Sequence, residues 1–320
     1  YNNHLGVPLS LSQLNTKHKY GVFEIGMSKA GEINKLSKLV RPHIGIITNI
    51  GEAHIENFKN LNEIAKAKGE IIDNIEQNGT IILNRDDKFF NFLNKKSKLK
   101  NLKVLTFGTN KRADVYPVSI IHNKSKILIV NVKNQKVKIK FKHINIYNIL
   151  SALALIYELK LSFKKIYHYI KNLEPSDGRG KIHIVRRYNK KFTLIDESYN
   201  ANPLSVKIAL KNFNSIKKYN FKKFLLLGDM LELGKKSEFL HKNLSKVINN
   251  SDVDKVFVGG NKILTTYKNI NISKRGNIFQ HPEDVDFIFK NIISNNDYLM
   301  IKGSNATGLN MLSNKMIKGL

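Results

Sequence analysis

The sequence predicts an α/β protein built on two open, mostly parallel sheets. Short apolar runs of strand length alternate with segments whose apolar residues recur at helical spacing, the pattern of repeated strand–helix units. Several of these runs stop at acids, amides and glycine, as strands do when they lead into ligand-binding loops. Pro175-Ser176-Asp177-Gly178-Arg179-Gly180 punctuates the chain near its middle. It marks an expected boundary between a domain of residues 1–178 and one of residues 179–320.

In the first part, Tyr20–Ile25 reads as a strand ending at Glu24, followed by a helix over Ile33, Leu36, Leu39 and Val40. Ile44–Ile50 reads as the next strand and Leu61–Ile75 as a helix, with Ile64, Lys68, Ile71 and Ile75 on one side. Asn78-Gly79 turns into the strand Thr80–Leu83, and Val104–Phe107 follows as another. From Ala113 to Phe141 the texture changes, and alternation in Ile127-Leu128-Ile129-Val130 and Val137-Lys138-Ile139-Lys140-Phe141 predicts a small antiparallel hairpin through Asn134-Gln135. Helices are expected at Ile146–Leu159 and Phe163–Leu173. Beyond the boundary, strands are expected at 182–188, 192–196, 223–228, 254–258 and 297–302, with helices between most of them.

At 320 residues the chain has room for two cores. It has no cysteine, so disulfides and thiolate metal sites are excluded, and a reducing compartment is compatible. No apolar run approaches the ~20 residues of a membrane-spanning helix. The net charge of +29 would suit a nucleic-acid surface. Against that, lysines far outnumber arginines and are scattered through every segment, without the arginine and interleaved aromatics that nucleic-acid readers favour.

Candidate chemistry sits in the loops. Glu24 at a strand tip is either a Mg²⁺ oxygen ligand or a solvated acid. Glu52, His54 and Glu56 follow a strand and read as a metal cluster or a surface loop. Lys68, on an apolar stripe, is either functional or snorkelling. Asn145 and Asn148 either cap a helix or read an adenine edge. Arg179, flanked by glycines, is a potential phosphate fork. Asp196-Glu197-Ser198-Tyr199-Asn200-Ala201-Asn202-Pro203 ends a strand and opens a helix at its proline. Gly228-Asp229-Met230-Leu231-Glu232-Leu233-Gly234 and Lys302-Gly303-Ser304 end two more strands. A helix starting over Ser304–Thr307 would present N–H groups to an anion.

Taken in order, these segments resemble the Mur ligases along essentially the whole chain. The series runs from Tyr1-Asn2-Asn3-His4-Leu5-Gly6 through Phe23-Glu24-Ile25-Gly26-Met27, the His54 loop, Ala65-Lys66-Ala67-Lys68-Gly69-Glu70 and Asn145-Ile146-Tyr147-Asn148. It continues through Gly178-Arg179-Gly180 and the three strand-end motifs above. Ser-Tyr-Asn-Ala-Asn-Pro and Gly-Asp-Met-Leu-Glu-Leu-Gly are fairly specific to the branch that adds D-alanyl-D-alanine.

The resemblance implies a central ATPase domain, with a mostly parallel sheet and a small antiparallel hairpin region, followed by a Rossmann-like domain. It implies a monomeric, cytoplasmic, ATP- and Mg²⁺-dependent ligase joining D-alanyl-D-alanine to UDP-N-acetylmuramoyl-tripeptide through an acyl phosphate, with no specific nucleic-acid partner. Glu24, His54 and Lys68, the last as a carbamate, would be metal and catalytic residues. Asn145, Asn148, Arg179 and Glu197 would contact ATP. Asn2, Asn3, Asn200, Asn202, Asp229 and Lys302 would contact the other substrates. A sister Mur ligase, a folylpolyglutamate synthase-like ligase and a catalytically silent homologue remain alternatives, and a basic nucleic-acid module is the alternative of another class.

The sequence departs from the family in three places. Ile144 stands before Asn145 where the family often has histidine, with His143 displaced by one. Glu197 stands where many relatives have aspartate. The phosphate loop G-x-x-G-K-[ST] is not in these residues, since Gly108-Thr109-Asn110-Lys111 and Gly259-Gly260-Asn261-Lys262 both lack its pattern. The expectation is therefore a fragment whose missing loop precedes Tyr1 and which is inactive or nearly so by itself.

Overall fold

The computed structural model describes residues 2–122, 126–141 and 145–319. Tyr1, His143 and Ile144 lie outside the described residues. The chain forms two compact units, one containing residues up to Gly51 with Asn57–Leu173, the other Glu174–Leu320 with the short segment Glu52–Glu56.

The first unit contains α1 (Gly6–Ser12), α2 (Glu32–Val40), β1 (Ile44–Ile47), α3 (Leu61–Lys68), β2 (Thr80–Asn84), α4 (Phe90–Leu99), β3 (Lys103–Phe107), β4 (Val115–His122), β5 (Lys126–Val132), β6 (Gln135–Phe141), α5 (Ile146–Glu158) and α6 (Phe163–Asn172). Its strands lie in chain order in one sheet. β1 to β4 are parallel and β4 to β6 antiparallel. Ile81, Ile82 and Leu83 of β2 are fully buried, as expected of a strand covered on both faces. α5 lays Ile149, Leu150, Leu153 and Ala154 into a core shared with Leu105, Phe107, Leu128 and Val130. Apolar burial of this kind is the main stabiliser, at about 1.5–3 kcal/mol per large side chain.

The second unit contains β7 (Lys181–Arg187), β8 (Lys190–Glu197), α7 (Pro203–Asn214), β9 (Lys223–Gly228), α8 (Ser237–Asn249), β10 (Lys255–Gly259), α9 (Leu264–Asn269), β11 (Arg275–Phe279), α10 (Pro282–Ile292), β12 (Tyr298–Lys302) and α11 (Leu309–Lys318). The strand order is β11-β10-β9-β12-β8-β7, parallel except for β7. The chain passes from β8 to β9 and on to β10 and β11, then returns to insert β12 between β8 and β9. That reversal brings the carboxyl ends of β8, β9 and β12 together, the usual ligand position in such sheets. Phe224, Phe257 and Phe289 pack below it, with the Phe257 and Phe289 ring centroids 5.0 Å apart.

Several expectations are corrected. Tyr20–Ile25 is not a strand, because it joins no ladder among the described residues and Val22 stays 88% exposed. An apolar run without a partner strand cannot satisfy its backbone as a sheet. β1 stops at Ile47 rather than Ile50, since beyond it side chains replace the ladder: Asn84 Nδ2 donates to Thr48 O and Ile50 N–H to Asp87 Oδ2. The helix expected to reach Ile75 is α-helical only to Lys68 and continues as a 3₁₀ helix over Gly69–Asn74. There Glu70 turns aside to accept the N–H groups of Gly31 and Asn34 at the start of α2. β4 and β11 were not anticipated as strands. The hairpin turns at Lys133-Asn134, both at positive φ, rather than at Asn134-Gln135. Ser304–Thr307 does not open an α-helix: Asn305–Thr307 is a 3₁₀ turn and α11 starts after Gly308, at φ +75°.

Candidate active site

The strongest cluster lies at the carboxyl ends of β8 and β12. Parallel register pairs Lys302 with Glu197 and Ile301 with Asp196. Lys302 Nζ donates to Asn200 O at 3.0 Å and to Glu197 Oε2 at 3.3 Å. The lysine is 2% exposed. Burial pushes its amine below the ordinary lysine range; Glu197 opposes the shift and Arg179 adds to it. A buried lysine with one long carboxylate contact is an under-satisfied cation at a place where sheets of this kind bind ligands.

The Gly-Arg-Gly turn docks on the same loop. Gly178 N–H donates to the buried Asp196 carboxylate at 2.8 Å, and Gly180 N–H to Asp196 O at 2.7 Å. Asp196 also accepts Ser198 N–H and Oγ–H. Gly178 sits at φ +72°, and a Cβ there would meet the Tyr199 backbone nitrogen at 2.8 Å. The turn therefore needs glycine for both conformation and close approach. Arg179 lies over the Tyr199 ring, 4.2 Å from its centroid, with both residues exposed.

Asn200 Oδ1 accepts Ala201 N–H. Asn202 and Ser205 form a reciprocal capping box at the start of α7, behind Pro203. At the end of β9, Asp229 Oδ1 accepts Ile263 N–H at 2.7 Å, and its carbonyl accepts Ser304 N–H at 3.0 Å. Ser304 Oγ–H donates to Ala201 O and accepts Leu231 N–H, tying the three strand-end loops together.

In the first unit, Glu24 is exposed and accepts Asn2 Nδ2–H at 2.8 Å. Asn3 Oδ1 accepts Leu5 and Gly6 N–H at the start of α1. Lys68 Nζ donates to Asn49 O at 2.9 Å. Burial lowers its pKa and Asp87 partly opposes this. Asn145 Oδ1 caps α5 through Tyr147 N–H at 2.9 Å, and Asn148 is exposed one turn on. His54 groups with the second unit, where its Nδ1 lies 2.6 Å from Glu232 Oε2. Among the described residues no three His, Asp or Glu side chains are arranged to hold a metal. The reading of Glu52, His54 and Glu56 as a metal cluster is therefore corrected: they form a surface loop in which His54 pairs with Glu232. The set that the family resemblance implies, Glu24, His54 and Lys68, has only two such residues.

The sequence reading missed the organising part of Asp196, the stacking of Tyr199, the bridging hydroxyl of Ser304 and the hold of Glu232 on His54. Their motifs were visible. Apart from Ser198 on Asp196, two residues away, the pairings cross 18 to 178 residues and carry no local signal.

The Mur ligase middle domain matches residues 1–156 and the Mur ligase glutamate ligase domain residues 180–305. The UDP-N-acetylmuramoyl-tripeptide--D-alanyl-D-alanine ligase of Buchnera aphidicola (subsp. Acyrthosiphon pisum) is 32% identical over 323 residues, 99% of this chain and 69% of that protein. The chain belongs to the Mur ligase family. The Bacillus subtilis ligase of the same name is 31% identical across 81% of the chain and 55% of its own length. Among solved Mur ligases, MurF from Acinetobacter baumannii superposes with a TM-score of 0.87 at 25% identity, covering 99% of this chain and 69% of that one. MurF from Thermotoga maritima, solved in complex with ADP, shares the fold at a TM-score of 0.79 and 23% identity, over 98% of this chain and 72% of that one.

Proposed function

We propose that this Mur ligase joins D-alanyl-D-alanine to UDP-N-acetylmuramoyl-tripeptide with ATP, as a monomeric enzyme of the cytoplasm. The observation that carries the reading is the likeness, along 99% of the chain, to a ligase of that name. The Asp196–Pro203 loop built around Lys302 supports it.

A carboxylate is a poor electrophile. In the reading, the tripeptide carboxylate attacks the γ-phosphorus of ATP, ADP leaves, and an acyl phosphate forms. The dipeptide amine then attacks the acyl carbon, inorganic phosphate leaves, and the amine loses a proton. Charge builds on phosphoryl oxygens in both steps, so fixed cations contribute most. In this reading Arg179 and Lys302 supply that charge, and the contact of Glu197 with Lys302 keeps the lysine in place. Asn148 and Asn145 are assigned to the nucleotide. Asn2, Asn3, Asn200, Asn202 and Asp229 are assigned to the other substrates. The side-chain oxygens of Asn3, Asn145 and Asn202 are used in helix caps, so their amide N–H groups are the ones left for a ligand.

The donor chemistry fits Mg²⁺. Glu24 offers carboxylate oxygen, and His54 keeps Nε2 available while Nδ1 faces Glu232. Lys68 as an ammonium would repel a cation. Burial lowers its pKa, which raises the share of neutral amine; in this reading that amine adds to CO₂ and loses a proton, giving a carbamate with oxygen donors of the kind Mg²⁺ prefers. When bound, the cation neutralises phosphate charge.

A substrate panel on the gene product in its full length tests the reading. ATP-dependent joining of D-alanyl-D-alanine to the tripeptide, with single amino acids inert, is expected. Joining of a single amino acid instead would assign the chain to a sister ligase.

A further inference from the structure

We propose that Glu232 is a positioning residue for His54, holding Nδ1–H so that Nε2 is the nitrogen turned toward a divalent cation. This rests on the reading of His54 as a cation contact. The carboxylate lies 2.6 Å from Nδ1. A carboxylate accepts, so the proton sits on Nδ1, which is how outer carboxylates orient metal-binding imidazoles.

The backbone around the pair is independently unusual. His54 is at φ +55° and Glu232 at φ +60°, left-handed conformations that are uncommon for residues with a side chain. Such residues are strained and persist where the surroundings over-determine them. Here the surroundings do so. Glu56 N–H donates to Glu232 O at 3.2 Å. Gly234, at φ +53°, lets Glu56 approach so closely that a Cβ would meet Glu56 Cβ at 2.9 Å. Behind the loop, His241 is fully buried and accepts Met230 N–H through Nε2 at 3.1 Å, while its Nδ1 lies 2.8 Å from Ser237 O. Leu231 N–H is held by Ser304 Oγ. The residues on both sides of Glu232 are therefore fixed, and its carboxylate is delivered to one imidazole.

The test is the tautomer of His54, read from long-range ¹H–¹⁵N spectra of the 320-residue chain with labelled histidine, at a pH where imidazole is neutral. The signal is assigned by its loss in His54→Gln. The wild-type chain is expected to show Nδ1–H. Glu232→Ala is expected to lose it, and Glu232→Gln, which keeps an acceptor oxygen, to retain it. An Nε2–H imidazole in the wild type, or Nδ1–H retained in Glu232→Ala, overturns the proposal; the wild-type arm stands even where the alanine variant fails to fold. Mn²⁺ added alone separates the two claims. Wild-type broadening of the His54 signal, with about tenfold or more Mn²⁺ needed in Glu232→Ala, supports both. Absence of broadening beside an intact Nδ1–H strikes the cation reading of His54 and leaves its orientation by Glu232 standing.

Discussion

Two buried lysines on neighbouring strands of the second sheet are treated in opposite ways. Lys223, at the amino end of β9, is 0% exposed and is fully matched: Asp252 at 2.6 Å and the carbonyls of Ile216 and Phe213 at 2.6 and 2.9 Å. Lys302, at the carboxyl end of β12, is buried to the same degree but has one carbonyl at 3.0 Å and a carboxylate at 3.3 Å. A buried ammonium is tolerated only when paired and hydrogen-bonded. Lys223 meets that condition inside the protein and serves as scaffold. Lys302 falls short, and in the proposed reading an anionic substrate completes its shell. The same sheet is thus finished at one end and left open at the other.

The largest effect expected is on catalysis. Lys302→Met, in the full-length gene product, should slow ligation by about 10²–10³-fold per folded molecule, the usual loss when a fixed stabiliser of developing oxyanion charge is removed. Steady-state kinetics with the tripeptide and D-alanyl-D-alanine read this directly. A variant within twofold of wild type would remove Lys302 from the substrate-facing end.

Next comes the turn that docks beside it. Gly178→Ala adds a Cβ at φ +72° against the Tyr199 backbone and should cost about 1–3 kcal/mol in urea unfolding. A cost near zero would mean that the turn is not held against the Asp196 loop.

The smallest effect is in pH dependence. Burial lowers the pKa of Lys302, and of Lys68 in the first unit. The folded chain therefore binds fewer protons than the unfolded chain between the lowered values and the ordinary lysine range. Stability should rise with pH through that alkaline window. Lys302→Met should flatten part of the rise in thermal melts at increasing pH; an unchanged slope would contradict the assignment.

Much of the architecture was legible because strands buried on both faces announce themselves. Ile81–Leu83 and Phe224–Leu227 are continuous apolar runs near turn signals, and the structure starts the two strands where expected, at Thr80 and Lys223. Arg275–Phe279 was missed because its arginine, glycine and asparagine do not read as a strand; it lies at the sheet edge, where β10 supplies the ladder. Tyr20–Ile25 misled for the opposite reason, having the composition of a strand without a partner. The loops carrying Glu197, Asp229 and Lys302 could be placed at strand ends from sequence. What each side chain does there could not. Whether a lysine is matched or left short depends on carbonyls and carboxylates such as Asp252 for Lys223, 29 residues away, or Glu197 for Lys302, 105 residues away. Neither Lys68 nor Glu232 has its partner within reach of local pattern: Asn49 is 19 residues from Lys68, and His54 meets Glu232 only through folding.

The contrast between the two ends is tested most directly by urea unfolding of Lys223→Met and Lys302→Met measured side by side. Lys223→Met strands the buried Phe213 carbonyl, the half-buried Ile216 carbonyl and the Asp252 carboxylate, and is expected to lose about 2–4 kcal/mol. Lys302→Met removes an under-satisfied buried charge and is expected to stay within about 1 kcal/mol of wild type. Equal losses in the two variants would show that both lysines are scaffold, and would contradict the claim that the carboxyl end of this sheet is held open for substrate.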